Sequence, residues 1–203
     1  LLAGGHFGKP GAGACPVRGH SNVQGDRTVG INHHPSDEFL SACEDATGIE
    51  MPRERGYDAV EFIQAALDDR VRMYMSMGGN LVSAMSDTER VAEAIGKIDL
   101  TVQISTKMNR SHLVTGKTAL VLPCLGRTEK DPDGFVTVEN SMGLVHSSTG
   151  SLEPASSMLL SEPEIVRRIG SACFPSGPFE WHSLSDHDSV RELISRCVPG
   201  FED

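Results

Sequence analysis

Two short apolar runs, residues 72–77 and residues 100–105, are joined by a segment that reads as a capped helix, and this arrangement constrains the fold more than any other feature. The first run stops at Gly78-Gly79-Asn80, a tight turn of the kind that ends a buried strand. Ser86-Asp87-Thr88-Glu89 then reads as a capping-box start, and Val91, Ala94, Ile95 and Ile98 recur at helical spacing. Strand, helix and strand at this length form a βαβ unit, so the two strands should be parallel and the crossover right-handed.

The remaining chain extends the pattern. Residues 119–123 form a third strand, closed by Pro123, which cannot donate in a ladder. A fourth strand is expected over 135–139, after the turn residues Asp131-Pro132-Asp133-Gly134. Helices are expected from Ser36 to just before Gly48, over 57–69, from Ser161-Glu162-Pro163-Glu164 to Cys173, and from Asp186 to Cys197, with a short one over 109–116. The outcome is an α/β fold: a mostly parallel, Rossmann-like sheet flanked by helices, with a long glycine-rich loop region at the N-terminus. The 203 residues divide into a loop and short helix (1–56), the sheet domain (57–175) and a helical extension (176–203).

Composition removes several function classes. A net charge of −10 argues against broad contact with nucleic acid, which needs clustered Lys and Arg, yet leaves room for an anionic cofactor held by backbone N–H groups. No run of 18 apolar residues occurs, so no membrane span is expected. The five cysteines are an odd number without a Cys-x-x-Cys pair, which reads as reduced thiols in a cytoplasmic protein. Lys97, Lys117 and Lys130 read as solvated. The chain opens on leucine without a signal pattern and reads as a piece of something longer.

Ligands of open parallel sheets bind beyond the carboxyl ends of the strands. Those ends carry Gly78-Gly79-Asn80, then Gln103 to Asn109, then Pro123 to Glu129. G-x-G-x-x-G is absent, so NAD is not indicated. A second concentration of glycine lies upstream, with Gly8, Gly11, Gly13, Gly19, Gly25 and Gly30 interleaved with Arg18, His20, Asn22 and Gln24. Such a surface suits polar, anionic groups, and equally suits an ordinary surface loop. A zinc site from Cys15, His20, His33 and His34 would belong to a regulatory domain, but its spacing fits no common pattern.

The order Pro16-Val17-Arg18-Gly19, then Asn22-Val23-Gln24-Gly25, resembles a segment of the molybdopterin-dependent formate dehydrogenases of the dimethyl sulfoxide reductase superfamily. The resemblance continues through Gly78-Gly79-Asn80, Ser86-Asp87, Val102-Gln103-Ile104, Leu122-Pro123 and Glu129-Lys130-Asp131, covering roughly residues 7–170. His20 stands where well-studied members carry glutamine, and Gly79 where they carry an acid; residues 76–89 and 102–113 are closer to a less-studied branch of formate dehydrogenase-like oxidoreductases.

The resemblance implies a bis-molybdopterin guanine dinucleotide cofactor with molybdenum or tungsten. Gly19, Asn22, Gln24, Gly25, Gly78, Gly79, Asn80, Gln103, Ser105, Thr106 and Pro123 would contact it. Arg18 would hold an anionic small-molecule substrate such as formate, and His20 could accept a proton, since imidazole exchanges protons near neutrality. No residue of this stretch is expected to ligate the metal. The 4Fe-4S cluster, the metal-ligating residue and the route to an electron-transfer partner would lie upstream, so the isolated stretch should be inactive. The alternative is a stand-alone nucleotide-binding module without redox activity.

Overall fold

The computed structural model describes residues 1–14, 20, 22–140 and 142–201; Arg18 and Gly19 of the expected site lie outside them. Helix α1 (Val23–Thr28) is followed by α2 (Asp37–Thr47), α3 (Ala59–Leu67), strand β1 (Met73–Met77), the single turn α4 (Leu81–Ala84) and α5 (Thr88–Lys97). After these come β2 (Leu100–Ser105), β3 (Thr118–Pro123), β4 (Val136–Glu139), β5 (Val145–Ser148), α6 (Glu162–Cys173) and α7 (His187–Cys197).

Local chemistry sets the helix starts. Asp58 accepts from the amides of Val60 and Glu61, both at 2.9 Å, while the Glu61 carboxylate reaches back to the Asp58 N–H, which completes a capping box at α3. At α5 the cap is one-sided. Asp87 takes a left-handed conformation (φ 59°) and accepts from Arg90 N–H, so the expected Ser86–Glu89 box does not form. Ser161 caps α6 by accepting from Glu164 N–H, and its hydroxyl donates to Asp133 Oδ2 at 2.9 Å, tying the helix to the turn after β3.

β1, β2 and β3 form one parallel sheet in the order β1-β2-β3, with Met77 opposite Ile104 and Ile104 opposite Leu122. Because side chains alternate, one face carries Tyr74, Ser76, Thr101 and Gln103, and Tyr74 packs on the core that α3, α4 and α5 build from Ile63, Ala66, Val82, Val91, Ala94, Ile95 and Ile98. On the other face Ile104 and Leu122 meet Ile165 and Ile169 of α6, while Met73, Met75 and Met77 stay exposed.

The fourth expected strand does not join this sheet. β4 instead pairs antiparallel with β5 as a separate hairpin, Val136 opposite Ser148. The expected helix over 109–116 contracts to a 3-10 turn, Arg110–His112. The residue 1–35 region, read as loop, contains α1. The C-terminal helix α7 lies against α2 and anchors to the 131–135 segment through the His187 Nε2–Asp131 pair (3.0 Å) and through Arg191, whose guanidinium stacks on Phe135 at 4.0 Å. Lys97, Lys117 and Lys130 each pair with an acid, Asp69, Asp99 and Glu153 respectively.

Candidate functional site

Parallel pairing brings the carboxyl ends of β1, β2 and β3 to one edge of the sheet. At the first of them Gly78 and Gly79 both have positive φ, 66° and 77°, a region that L side chains enter only with strain. A Cβ built on either would meet nothing within 4 Å. The turn therefore presents bare backbone to open space. Gly78 N–H is already used, donating to Ile104 O at 2.8 Å, which fixes the turn against β2.

A short polar network holds this turn from behind. Asn109 donates its side-chain amide to Gly79 O at 2.7 Å, and Ser111 donates its hydroxyl to Asn80 Oδ1 at 2.9 Å while accepting from Val82 N–H. Gln103, almost fully buried in β2, donates to Ser111 O at 2.8 Å. Its side chain thus supports the loop from beneath. His112 Nδ1 accepts from Asn109 N–H at 2.9 Å, which in the neutral ring places the proton on Nε2. That Nε2 is buried and has no hydrogen-bond partner among the described residues. An orphan donor of this kind is uncommon in a folded interior.

Ser105 donates to Lys107 O at 2.9 Å, and Thr106 and Pro123 are exposed at the ends of β2 and β3. Thr106 also connects to the next part of the edge, since its methyl lies 3.9 Å from a Cβ built on Gly126. Beyond β3, α1 closes over the loop. Asn22 Oδ1 accepts from Glu139 N–H at 2.8 Å and Thr28 donates to Glu139 Oε2 at 2.7 Å, which fastens α1 to β4. Asn22 borders two cavities. One, of about 340 Å³, is bounded by Asp26, Gly126, Glu129, Asp131, Glu162 and His187; the other, of about 540 Å³ and more apolar, is bounded by Gly25, Val29, Val145, Ile194 and Phe201. Gln24 is half-buried in α1 and His20 is exposed just before it.

The smaller cavity is strongly acidic, and its carboxylates differ. Glu129 accepts from the backbone N–H groups of Gly126 and Ala155, which holds its carboxyl below the ordinary range. Glu162 is pushed up by burial and by Asp26 across the cavity, and burial together with Glu162 and Glu129 raises the Cys124 thiol to about 11. For Glu162 the folded state retains its proton to higher pH than the unfolded chain. Its contribution to stability is therefore full below the unfolded pKa near 4.5 and is lost as pH rises through the folded value. Glu162→Gln should raise the melting temperature at pH 7 and leave it unchanged at pH 4, as thermal melts at the two pH values would show.

Of the expected site residues, Gly78, Gly79, Asn80, Gln103, Ser105, Thr106 and Pro123 are gathered at the strand tips, and Asn22, Gln24 and Gly25 lie on α1 beside the loop after β3. Asn109, Ser111 and His112 were not singled out from sequence as site residues, although the Asn-x-Ser-His spelling of a cap was visible. Among the described residues no group of three or more His, Cys, Asp or Glu side chains could hold a metal ion; Cys15 of the zinc alternative lies outside them. No helix among the described residues is long and apolar enough to cross a membrane.

No family profile matches the chain. Individual proteins do. An uncharacterised oxidoreductase of Mycobacterium tuberculosis strain H37Rv is 49% identical over 209 aligned positions, taking in 100% of this chain and 27% of that protein. Protein YdeP of Escherichia coli K12 is 45% identical over 208 positions, again 100% of this chain and 27% of the relative. Bacillus subtilis YrhE, provisionally named a formate dehydrogenase, is 26% identical over 96% of this chain and 20% of its own length. The chain is thus a homologue, from end to end, of one stretch amounting to 27% of longer bacterial proteins, among them proteins named as oxidoreductases.

Proposed function

We propose that this chain is the dinucleotide-holding part of a molybdenum- or tungsten-dependent oxidoreductase of the formate dehydrogenase type. The observation that carries the proposal is the bare Gly78-Gly79 turn at the edge of a parallel sheet, backed by the hydrogen bonds of Asn109 and Ser111. A pyrophosphate and guanine need such a surface: backbone that can be approached closely, on a loop held in place from behind. The residues present therefore fit one guanine dinucleotide, with Thr106 and Pro123 bordering it and α1 supplying Asn22, Gln24 and Gly25 toward the pterin end.

When bound, the metal–pterin centre would accept the two electrons that formate loses on becoming carbon dioxide, and an upstream 4Fe-4S cluster would pass them to a partner. In this chain Arg18 would orient the carboxylate through two parallel N–H contacts, and His20 would take the proton released.

The test is the composition of the intact protein carrying this chain. Acid-denatured protein should release two guanine nucleotides for each molybdenum or tungsten atom found by elemental analysis. Guanine nucleotide without either metal would favour the stand-alone nucleotide module; protein free of both overturns the proposal. Gly79→Ala should lower guanine content from two nucleotides toward one for each protein, because this chain holds one of the two dinucleotides and a methyl there enters the open space a pyrophosphate would fill.

A further inference from the structure

Cys43 and Cys197 face each other across the contact between α2 and α7. Cys43 lies in the second half of α2, half-buried, and Cys197 is the last residue of α7, buried. Ala42, next to Cys43, shares the wall of one cavity with Cys197, and the two thiols are close enough to influence one another. An open cavity of about 400 Å³, bordered by Ala42, Arg196, Cys197 and Pro199, lies beside the pair and gives small reagents access to the Cys197 side of the contact.

We propose that Cys43 and Cys197 form a reversible disulfide that clamps α7 to α2, using a low-molecular-weight disulfide of the glutathione class as oxidant. One protein thiolate attacks a sulfur of the oxidant, forming a mixed disulfide and expelling one thiolate. The second cysteine, after losing its proton, attacks the protein-side sulfur and expels the other. Two protein thiols lose two electrons, one small disulfide gains them, and the two protons end on the released thiols.

The clamp bears on the cavities already described. α7 borders the larger one through Ile194 and Ser195, and the smaller one through His187. Fixing the last turn of α7 to α2 would therefore fix one wall of the space above α1. The odd cysteine count and the lack of a Cys-x-x-Cys spacing fit a conditional bond better than a structural framework. Cys124 and Cys173 sit elsewhere, at the end of β3 and the end of α6. Exchange should be slow near neutrality and accelerate with alkalinity, because burial and the neighbouring Cys197 raise the Cys43 thiol to about 11.

The intact protein, incubated with oxidised glutathione and digested without reductant, should yield a peptide pair joining Cys43 to Cys197. The pair should form faster at pH 9 than at pH 7, be abolished in Cys43→Ser and in Cys197→Ser, and persist in Cys173→Ser. Oxidation should raise the melting temperature by roughly 5–10 °C, since the bond closes a long loop. Absence of the joined peptide overturns the proposal, as does a glutathione adduct that stays on Cys43 or Cys197, or a cross-link to Cys124 or Cys173 instead. Each of these results can occur with the guanine and metal content intact, so the clamp and the cofactor assignment fail separately.

Discussion

Gly150→Ala should lower stability by about 3 kcal/mol or more, a fall of roughly 6–12 °C in melting temperature for a chain of this size. A Cβ on Gly150 would overlap the backbone carbonyl oxygen of Glu129 and lie 2.7 Å from the Thr128 carbonyl carbon. Neither neighbour is a side-chain tip that can swing away. The chain segments would have to separate, and what joins them there is backbone hydrogen bonding: Lys130 N–H to Leu152 O at 2.7 Å, and the Ser151 and Leu152 amides to Thr128 O at 3.0 Å. Each lost bond costs about 1 kcal/mol net, more if its groups remain buried. The same segment positions Glu129 and the wall of the smaller cavity, so local damage should reach the site. Gly96→Ala is the matched control. It lies within α5 with nothing within 4 Å of the added methyl, and alanine is the better helix former by about 1 kcal/mol, so that variant should be neutral or slightly more stable. Equal melting curves for Gly150→Ala and wild type would show that the two segments are less tightly joined than their backbone pairing implies.

The parallel core was legible because each of its elements carries its own local signal. Met73–Met77 and Leu100–Ser105 are short apolar runs, and Asp58, Ser161 and Asp186 spell their helix caps within four residues. The antiparallel hairpin was only half legible. β4 has alternating Val136 and Val138, but its partner β5 reads Val145-His146-Ser147-Ser148, without a period-2 apolar signal. What closes the hairpin is Asn140, whose side chain accepts from the Met142 and Leu144 amides. Helix α1 was hidden by the glycines around it, and its main anchors, Asn22 and Thr28 to Glu139, reach across more than a hundred residues. The same limit applies to the site. A glycine pair after a strand announces a turn by composition, whereas Ser111 and His112 acquire their roles only when the 3-10 turn folds onto Asn80, Gln103 and Asn109. The Cys43 and Cys197 contact is likewise a product of helix packing, with nothing in the cysteine spacing to announce it.

On the proposed function, the largest functional effect is expected from Arg18→Lys in the intact protein: turnover of formate should fall by about 10²-fold, with molybdenum or tungsten and guanine content unchanged. The argument is chemical. Formate offers two equivalent oxygens on a planar carboxylate, and guanidinium answers with two parallel N–H groups in a fixed fork. Lysine keeps the positive charge but presents it as a rotating point donor, so attraction survives while orientation is lost. Loss of orientation should appear mainly in kcat, because a misdirected carboxylate still binds; loss of charge, as in Arg18→Gln, should raise KM as well. Formate-dependent reduction of a viologen dye gives the rates, and elemental analysis with nucleotide release gives the cofactor content of the same preparations. A wild-type protein that does not oxidise formate removes formate as the substrate. Rates unchanged in Arg18→Lys remove the arginine from the reaction, and a parallel fall in metal content would place Arg18 in cofactor binding instead.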